Sequence, residues 1–270
     1  MPMQESKANQ AKLAVITGAS SGIGAEYARQ LAERNYDVLL IARNTDKLAR
    51  TVNAINALEK GRAESLVADL NDPQATAALA KTLSQRSDIY MLINNAGFGT
   101  SRFFADLPVE KPLAMIRVHN LASVHLSHAV LPQMLARKAG AIINVSSVAA
   151  FISAPHSVIY TASKAFLNTF SVSLAAEVKN EGIKVQALCP GFTYTDFHDT
   201  ADLKNFKRSD IPSWMWMQAD EVVRTSLKAL GKNKPIVIPG FKYRLIVSIL
   251  RWSIVQALLH KQTLKQRKRK

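Results

Sequence analysis

Tyr160-Thr161-Ala162-Ser163-Lys164 opens a segment whose apolar spacing, through Ala165, Leu167, Phe170, Leu174 and Ala175 to Glu177, predicts a helix. Residues four apart share a helical face, so the Tyr160 phenol and the Lys164 ammonium should lie side by side. A free phenol titrates near about 10, too high for ready proton exchange at neutral pH. A fixed cation beside it favours the phenolate, and each unit of lowering corresponds to about 1.4 kcal/mol. The pair is an acid/base catalyst in outline. Alone the spacing is weak evidence, because many helices carry a half-buried ring beside a solvated amine.

A second pattern lies near the start. Thr17-Gly18-Ala19-Ser20-Ser21-Gly22-Ile23-Gly24 joins an apolar, β-branched run, Leu13 to Thr17, to the helical periodicity of Gly22 to Arg34. Gly18, Gly22 and Gly24 permit a tight turn and a close backbone approach, and the new helix aims its free N–H groups at a pyrophosphate. The spacing differs from G-x-G-x-x-G, so its strand-before, helix-after context carries the reading. The next strand, Val38 to Ala42, ends without a carboxylate and is followed by Arg43. A carboxylate there would hold a ribose hydroxyl and repel a 2′-phosphate, whereas a guanidinium binds phosphate by paired bonds. NADP is therefore expected over NAD.

Further strands are expected at Ala63–Ala68, Ile89–Ile93, Ala141–Val145, Val185–Leu188 and Ile236–Ile238. Helices are expected at Thr45–Leu58, Pro73–Gln85, Ala219–Leu230 and, as one long element with Pro132 marking a kink or break, Pro112–Arg137. Phe192 to Met217 has aromatics and Pro212 without a steady period, and reads as a mobile loop with short helical pieces. Continuous apolar strands alternating with amphipathic helices imply an α/β fold of Rossmann type. That is one domain, a doubly wound parallel sheet of about seven strands with helices on both faces, and a C-terminal helical extension.

Composition sets the outer limits. The 270 residues suit one large α/β domain, and 48% hydrophobic against 20% charged residues is globular. One cysteine, Cys189, excludes an internal disulfide and suits a reducing compartment, so a cytoplasmic location is expected. Cys189 itself reads as a small buried residue. His125 and His128, three apart, find no third ligand and read as packing residues, so no metal is expected. Residues 1–12 read as a loose polar arm without the apolar core of a signal peptide. Net charge is +15, and nine Lys/Arg with no Asp/Glu fall between Phe241 and Lys270.

The chain resembles the short-chain dehydrogenase/reductase family from Leu13 to Gly240. The resemblance rests on the Thr17–Gly24 turn, Asn94-Asn95-Ala96-Gly97, Ser147, Tyr160-x-x-x-Lys164 and Pro190-Gly191, in the family's order and separations. It implies a catalytic set of Asn120, Ser147, Tyr160 and Lys164. Tyr160 would exchange a proton with a carbonyl or alcohol oxygen that Ser147 positions. Lys164 would bind the nicotinamide ribose and lower the phenol's pKa, and Asn120 would hold a water in the proton relay. Cofactor contacts would come from Gly18, Ser20, Ser21, Gly22, Ile23, Gly24, Arg43, Asp69, Leu70, Asn95, Ala96, Gly97, Pro190, Gly191 and Thr193, besides Tyr160 and Lys164. Family members commonly pair through the two long helices, which implies a homodimer or homotetramer.

Ile236-Val237-Ile238-Pro239-Gly240, followed by an apolar and basic extension over 241–270, resembles more loosely the branch of steroid dehydrogenases and long-chain 3-ketoacyl reductases. With Phe192, Tyr194, Phe197, Phe206, Trp214 and Trp216 it suggests a bulky apolar carbonyl or alcohol substrate. Leu245, Ile249, Trp252 and Leu259 form a helical stripe too short to span a bilayer. The stripe is open to three uses: packing, peripheral membrane contact, or a substrate entrance. Lys265 to Lys270 reads as a solvated end. Two rival functions stand beside an NADP-dependent reductase. One is a catalytically idle dinucleotide-binding module tethered through its basic end; intact Ser147, Tyr160 and Lys164 argue against it. The other is nucleic-acid binding, which the tail does not support because it lacks interleaved aromatics.

Overall fold

The computed structural model describes residues 12–203 and 206–250. The expected arm over 1–11, and Trp252, Leu259 and Lys265–Lys270 of the tail, lie outside the described residues. Lys12, counted with the arm, is the first residue of β1 (Lys12–Thr17). The other strands are β2 (Tyr36–Ala42), β3 (Ala63–Val67), β4 (Ile89–Asn94), β5 (Gly140–Val145), β6 (Ile183–Leu188) and β7 (Ile236–Val237). All pair in parallel in the order β3-β2-β1-β4-β5-β6-β7. The chain winds outward from β1 to β3 and then returns to β4 on the other side of β1. Beyond the carboxyl ends of β1 and β4 the connections diverge and leave a crevice.

Strand residues alternate between faces, and both faces of this sheet are covered. Ala14 and Ile16 face one helical layer, α1 (Gly22–Ala32), α2 (Thr45–Asn56) and α7 (Ala219–Leu230), through Tyr27, Leu31, Leu48, Val222 and Val223. Leu13 and Val15 face the other, α3 (Pro73–Ser84), α5 (Ala122–Arg137) and α6 (Val158–Glu177), through Leu79, Leu83, Leu126, Val130 and Leu174. That is why the strands read as unbroken apolar runs. Local signals set the helix starts: Asn44 and Asp72 cap α2 and α3 by accepting from Lys47 N and Gln74 N, both at 2.8 Å, and Pro73 needs no N–H in the first turn.

The long helix differs from expectation. It begins as α4 (Glu110–Ile116), widens into one π turn over Arg117–Leu121, and continues as α5. The irregularity is this turn, and the helix runs through Pro132 to Arg137, where Lys138 in the left-handed region caps it. His125 and His128 are exposed on α5 and do not pack, and no cluster suited to a metal occurs among the described residues. Among its described residues Phe192–Met217 holds four short 3-10 turns and is clamped at its base, where Tyr194 N and Met217 N donate to Met217 O and Phe192 O. α8 (Phe241–Leu250) packs on the domain through buried Tyr243 and Val247, with Phe241, Leu245 and Ile249 exposed on its outer face. No helix among the described residues is long and apolar enough to cross a membrane.

Candidate active site

The crevice at the carboxyl ends of the strands is one cavity of about 1090 Å³. At one end is the turn after β1. Gly18 and Gly22 have φ of +64° and +57°, values that favour glycine, and a Cβ on Gly24 would lie 2.3 Å from Gly18 O. Asn95, just past β4, locks this turn: its Nδ2 donates to Thr17 O at 3.0 Å and Gly18 O at 3.1 Å. Thr17 Oγ1 accepts from both Asn95 N and Ala96 N at 3.0 Å. Asn94, beside it in sequence, points into the sheet. Its Nδ2 donates to Asn144 Oδ1 at 2.8 Å, and Asn144 Nδ2 donates to Ser171 Oγ at 2.9 Å, joining β4, β5 and α6. The two asparagines thus do different work, one holding the glycine turn and one holding the helix of Tyr160 to the sheet.

Ser147 follows β5 and caps the 3-10 turn Val148–Phe151, accepting from Ala149 N at 3.1 Å. Tyr160 stands in the first turn of α6 with part of its surface open to the cavity that Ser147 also lines. Lys164, one turn on, is buried and donates from Nζ to Val145 O at 2.8 Å. Burial lowers its pKa to about 8. The expected lowering of the phenol does not occur in this arrangement. Burial raises Tyr160, outweighing the opposite effect of Ser147, while Lys164 Nζ lies 5.7 Å from the ring centroid, bonded elsewhere. Desolvation is set by packing in three dimensions and cannot be read from an i, i+4 spacing.

Of the expected site residues, all but Gly24 and Asn120 line this single cavity. Gly24 packs behind the turn. Asn120 is buried in the π turn and donates to Ser163 O at 2.9 Å, tying α6 to the long helix. Arg43 is exposed at the far end, 4.0 Å from Asp69 Oδ1, with Leu70 buried beneath. Pro190, Gly191 and Thr193 follow β6, and the Tyr243 ring covers Gly191 so closely that a Cβ would lie 1.9 Å from it. Cys189 is fully buried and pushed up to about 12, an inert thiol.

The aromatic segment divides. Phe192, Phe197 and Phe206 line the cavity with Leu203, and Phe197 stands 5.9 Å from the Tyr160 ring. Tyr194 and Trp216 stack on each other at 4.8 Å away from the cavity, and exposed Trp214 lies under Lys242. Four contributors were not expected from sequence. Thr195 closes over Gly22, whose Cβ would lie 3.0 Å away. Lys47 pairs with Asp196 at 2.8 Å across the mouth of the crevice. His119 is buried beneath Tyr160. Of these, only Lys47 left a signal, a cation four residues after Arg43 in the next helix.

The amino-acid pattern described as short chain dehydrogenase matches residues 12–205. The very-long-chain 3-oxoacyl-CoA reductase of Anas platyrhynchos is 32% identical over 254 residues, covering 92% of this chain and 78% of its own. The human inactive hydroxysteroid dehydrogenase-like protein 1 is 34% identical over 223 residues, 82% of this chain and 66% of its own. A short-chain dehydrogenase from Sphingobium yanoikuyae, solved in complex with NADPH, superposes with a TM-score of 0.80 at 32% identity, covering 94% of this chain and 95% of its own. With the strand order and the shared cavity, these likenesses lead to one conclusion: the chain belongs to the short-chain dehydrogenase/reductase family of oxidoreductases, in its steroid dehydrogenase and 3-oxoacyl reductase branch.

Proposed function

We propose that the protein is an NADP-dependent oxidoreductase interconverting a ketone and a secondary alcohol on a bulky, apolar, lipid-, steroid- or acyl-like substrate. The observation that carries this reading is that Ser147, Tyr160 and Lys164 share one cavity with the glycine turn and Arg43. The residues fit a dinucleotide. Gly18 and Gly22 leave room where a Cβ would meet Ala96 and Thr195, and Arg43 supplies an exposed guanidinium for a 2′-phosphate. The NADPH bound to the Sphingobium relative, and the very-long-chain 3-oxoacyl-CoA for which the Anas relative is named, support the same assignment.

When bound, the nicotinamide supplies or takes the hydride. The chain's own residues handle the oxygen and its proton. Ser147 Oγ and Tyr160 Oη both donate to the substrate oxygen, fixing the carbonyl plane. The raised phenol is neutral at pH 7 and so is the proton donor for reduction. Lys164, with a pKa of about 8, is mostly cationic at that pH, and its charge stabilises the phenolate as the proton leaves. Its remaining N–H donors, beyond the one on Val145 O, are free for ribose hydroxyls. Asn120 holds the α6 backbone in register through Ser163 O, and in the family's relay its role would be to hold a water. Phe192, Phe197, Leu203 and Phe206 form the apolar wall that excludes water from the reacting centre.

Exposed Leu113 and Leu121 on the long helix, and Phe166 and Val172 on α6, support a homodimer or homotetramer formed through these helices. The outer stripe of α8 supports peripheral contact between 241–270 and a membrane surface, on a cytoplasmic protein whose catalytic domain spans 13–240. The name of the human relative favours a second reading, an idle dinucleotide-binding module tethered by its basic C-terminus. Incubation with NADPH and a panel of bulky ketones separates the two. Turnover is expected in the wild type, with none in Tyr160→Phe although NADPH still binds. Binding without turnover on any ketone supports the idle module, and equal turnover in Tyr160→Phe refutes the role of the phenol.

A further inference from the structure

His119 is 1% exposed and stands in the π turn that interrupts the long helix. Its Nε2 lies 3.0 Å from Phe98 N, and a backbone N–H can only donate. Nε2 therefore carries the lone pair and Nδ1 the proton, an assignment made from the bonding pattern. Nδ1–H donates to Ser163 Oγ at 2.9 Å, and the Ser163 hydroxyl donates to Tyr160 O at 2.8 Å. Asn120, the next residue, donates to Ser163 O. Two successive side chains thus converge on one residue of α6, an arrangement made by the wide turn; single π turns recur at functional sites.

The imidazole links three parts of the site. It holds the loop after β4 through Phe98, where that loop lines the crevice. It reaches the turn of α6 between Tyr160 and Lys164 through Ser163. Its ring also meets the Tyr160 ring edge-on, with centroids 6.0 Å apart at 79°. Gly97 separates it from Lys164: a Cβ there would lie 2.9 Å from His119 Nε2 and 3.5 Å from Lys164 Nζ.

We propose that His119 is a positioning residue for Tyr160 and Lys164, acting as a neutral Nδ1–H imidazole that fixes the phenol's turn of helix against the cofactor-side loop. The proposal rests on the reading of Tyr160 as the acid/base. Protonation would have to occur at Nε2, which would break the Phe98 bond and set a second cation beside Lys164. Tyr160 and Lys164 are the titratable groups that face the ring from α6. The loop after β4 presents the Phe98 N–H and ring, and among the described residues no carboxylate acts on it. Burial and Lys164 together keep its pKa well below the usual histidine range, consistent with a permanently neutral ring.

The test has two arms. Nitrogen NMR of histidine-labelled wild type, with the His119 signal identified by its loss in His119→Gln, should show a protonated Nδ1 and bare Nε2 at pH 7, unchanged at pH 5. An Nε2–H tautomer or an imidazolium at pH 7 overturns the proposal, and this arm needs no substrate. In the second arm, NADPH and a bulky aryl ketone reduced by the wild type are used at steady state. His119→Val should lower kcat about tenfold or more with ketone KM within about threefold, the mark of misplaced chemistry. His119→Gln, whose amide accepts from Phe98 and donates to Ser163, should recover most of that loss. Wild-type kcat in His119→Val, or a Gln variant as slow as Val while binding NADPH normally, overturns it. If the wild type reduces no ketone, the reading of Tyr160 fails, and the NMR arm decides the state of His119 separately.

Discussion

Replacing Lys164 by methionine should make the protein inactive and, near neutral pH, no less stable. The ammonium is buried, and its pKa falls from the usual 10.5 to about 8. Keeping it charged at pH 7 therefore costs about 3 kcal/mol of folding free energy. Methionine removes that cost in nearly the same volume but leaves Val145 O without its donor, a loss of about 1–3 kcal/mol. The two nearly cancel, so Lys164→Met should be between equal to and about 2 kcal/mol more stable than wild type at pH 7. The pH dependence is more decisive than the net value. Below about 8 both folded and unfolded chains hold the proton, and the term has no slope. Between about 8 and 10.5 the unfolded chain binds the proton that the folded chain has released, so wild-type stability rises with pH. The difference from Lys164→Met should shift in wild type's favour by about 1 kcal/mol from pH 7 to 9, and by about as much again by pH 10. Cys189, pushed up to about 12, stays a thiol in the folded state over this range, and its unfolded titration is common to both proteins. Urea unfolding followed by tryptophan fluorescence at several pH values measures the difference. A difference flat from pH 7 to 10, or one moving toward the variant, would refute the argument that burial sets the charge on Lys164.

Arg43→Ala should weaken NADPH about 5- to 30-fold and leave NADH nearly unchanged, the loss of one charge-assisted phosphate contact, measured by fluorescence titration. Gly24→Ala puts a methyl 2.3 Å from Gly18 O and 2.5 Å from Asn95 Nδ2, so it should lose dinucleotide binding and about 1–3 kcal/mol of stability, read by calorimetry. Asn144→Leu removes the bonds that join β4, β5 and α6 but leaves Asn94 Nδ2 on Ser127 Oγ and the Ser171 hydroxyl on Leu167 O, so it should cost about 1–3 kcal/mol in denaturant unfolding. A variant as stable as wild type would show that this chain of bonds does not hold α6 to the sheet.

The doubly wound sheet was legible because its evidence is local. Leu13–Thr17 and Val38–Ala42 are apolar on both alternating faces, and only a sheet covered on both sides asks for that. The glycine turn was legible because strand, glycines and helix follow one another within a dozen residues. The π turn was not: one extra residue in a turn barely disturbs apolar spacing, so 112–137 scans as a single regular helix, and Pro132 draws attention from the true irregularity at Arg117–Leu121. Phe192–Met217 shows no period because each of its 3-10 turns lasts only three or four residues. Lys47 with Asp196, and His119 with Phe98 and Ser163, pair positions 149, 21 and 44 residues apart. No spacing in one sequence encodes such partners.

The direction of the Tyr160 shift shows why motif and mechanism must be argued separately. The motif puts a cation one turn from a phenol, and that proximity alone argues for an acidic tyrosine. The fold adds what the motif omits, the removal of water from both groups, and that effect has the opposite sign on the phenol. The same desolvation weakens the ammonium's hold on its proton, so packing drives the two groups in opposite directions, the amine down and the phenol up. A site in this state holds its proton on the tyrosine until the substrate's reacting oxygen and the cofactor's polar groups enter the crevice and replace the missing solvation. The phenol of the protein alone should therefore titrate above an ordinary tyrosine, and NADP binding should lower it. Difference absorbance of tyrosinate against Tyr160→Phe, with and without NADP, measures both. A phenol already acidic in the protein alone would restore the simple proximity argument and leave burial with no part in setting the proton's place.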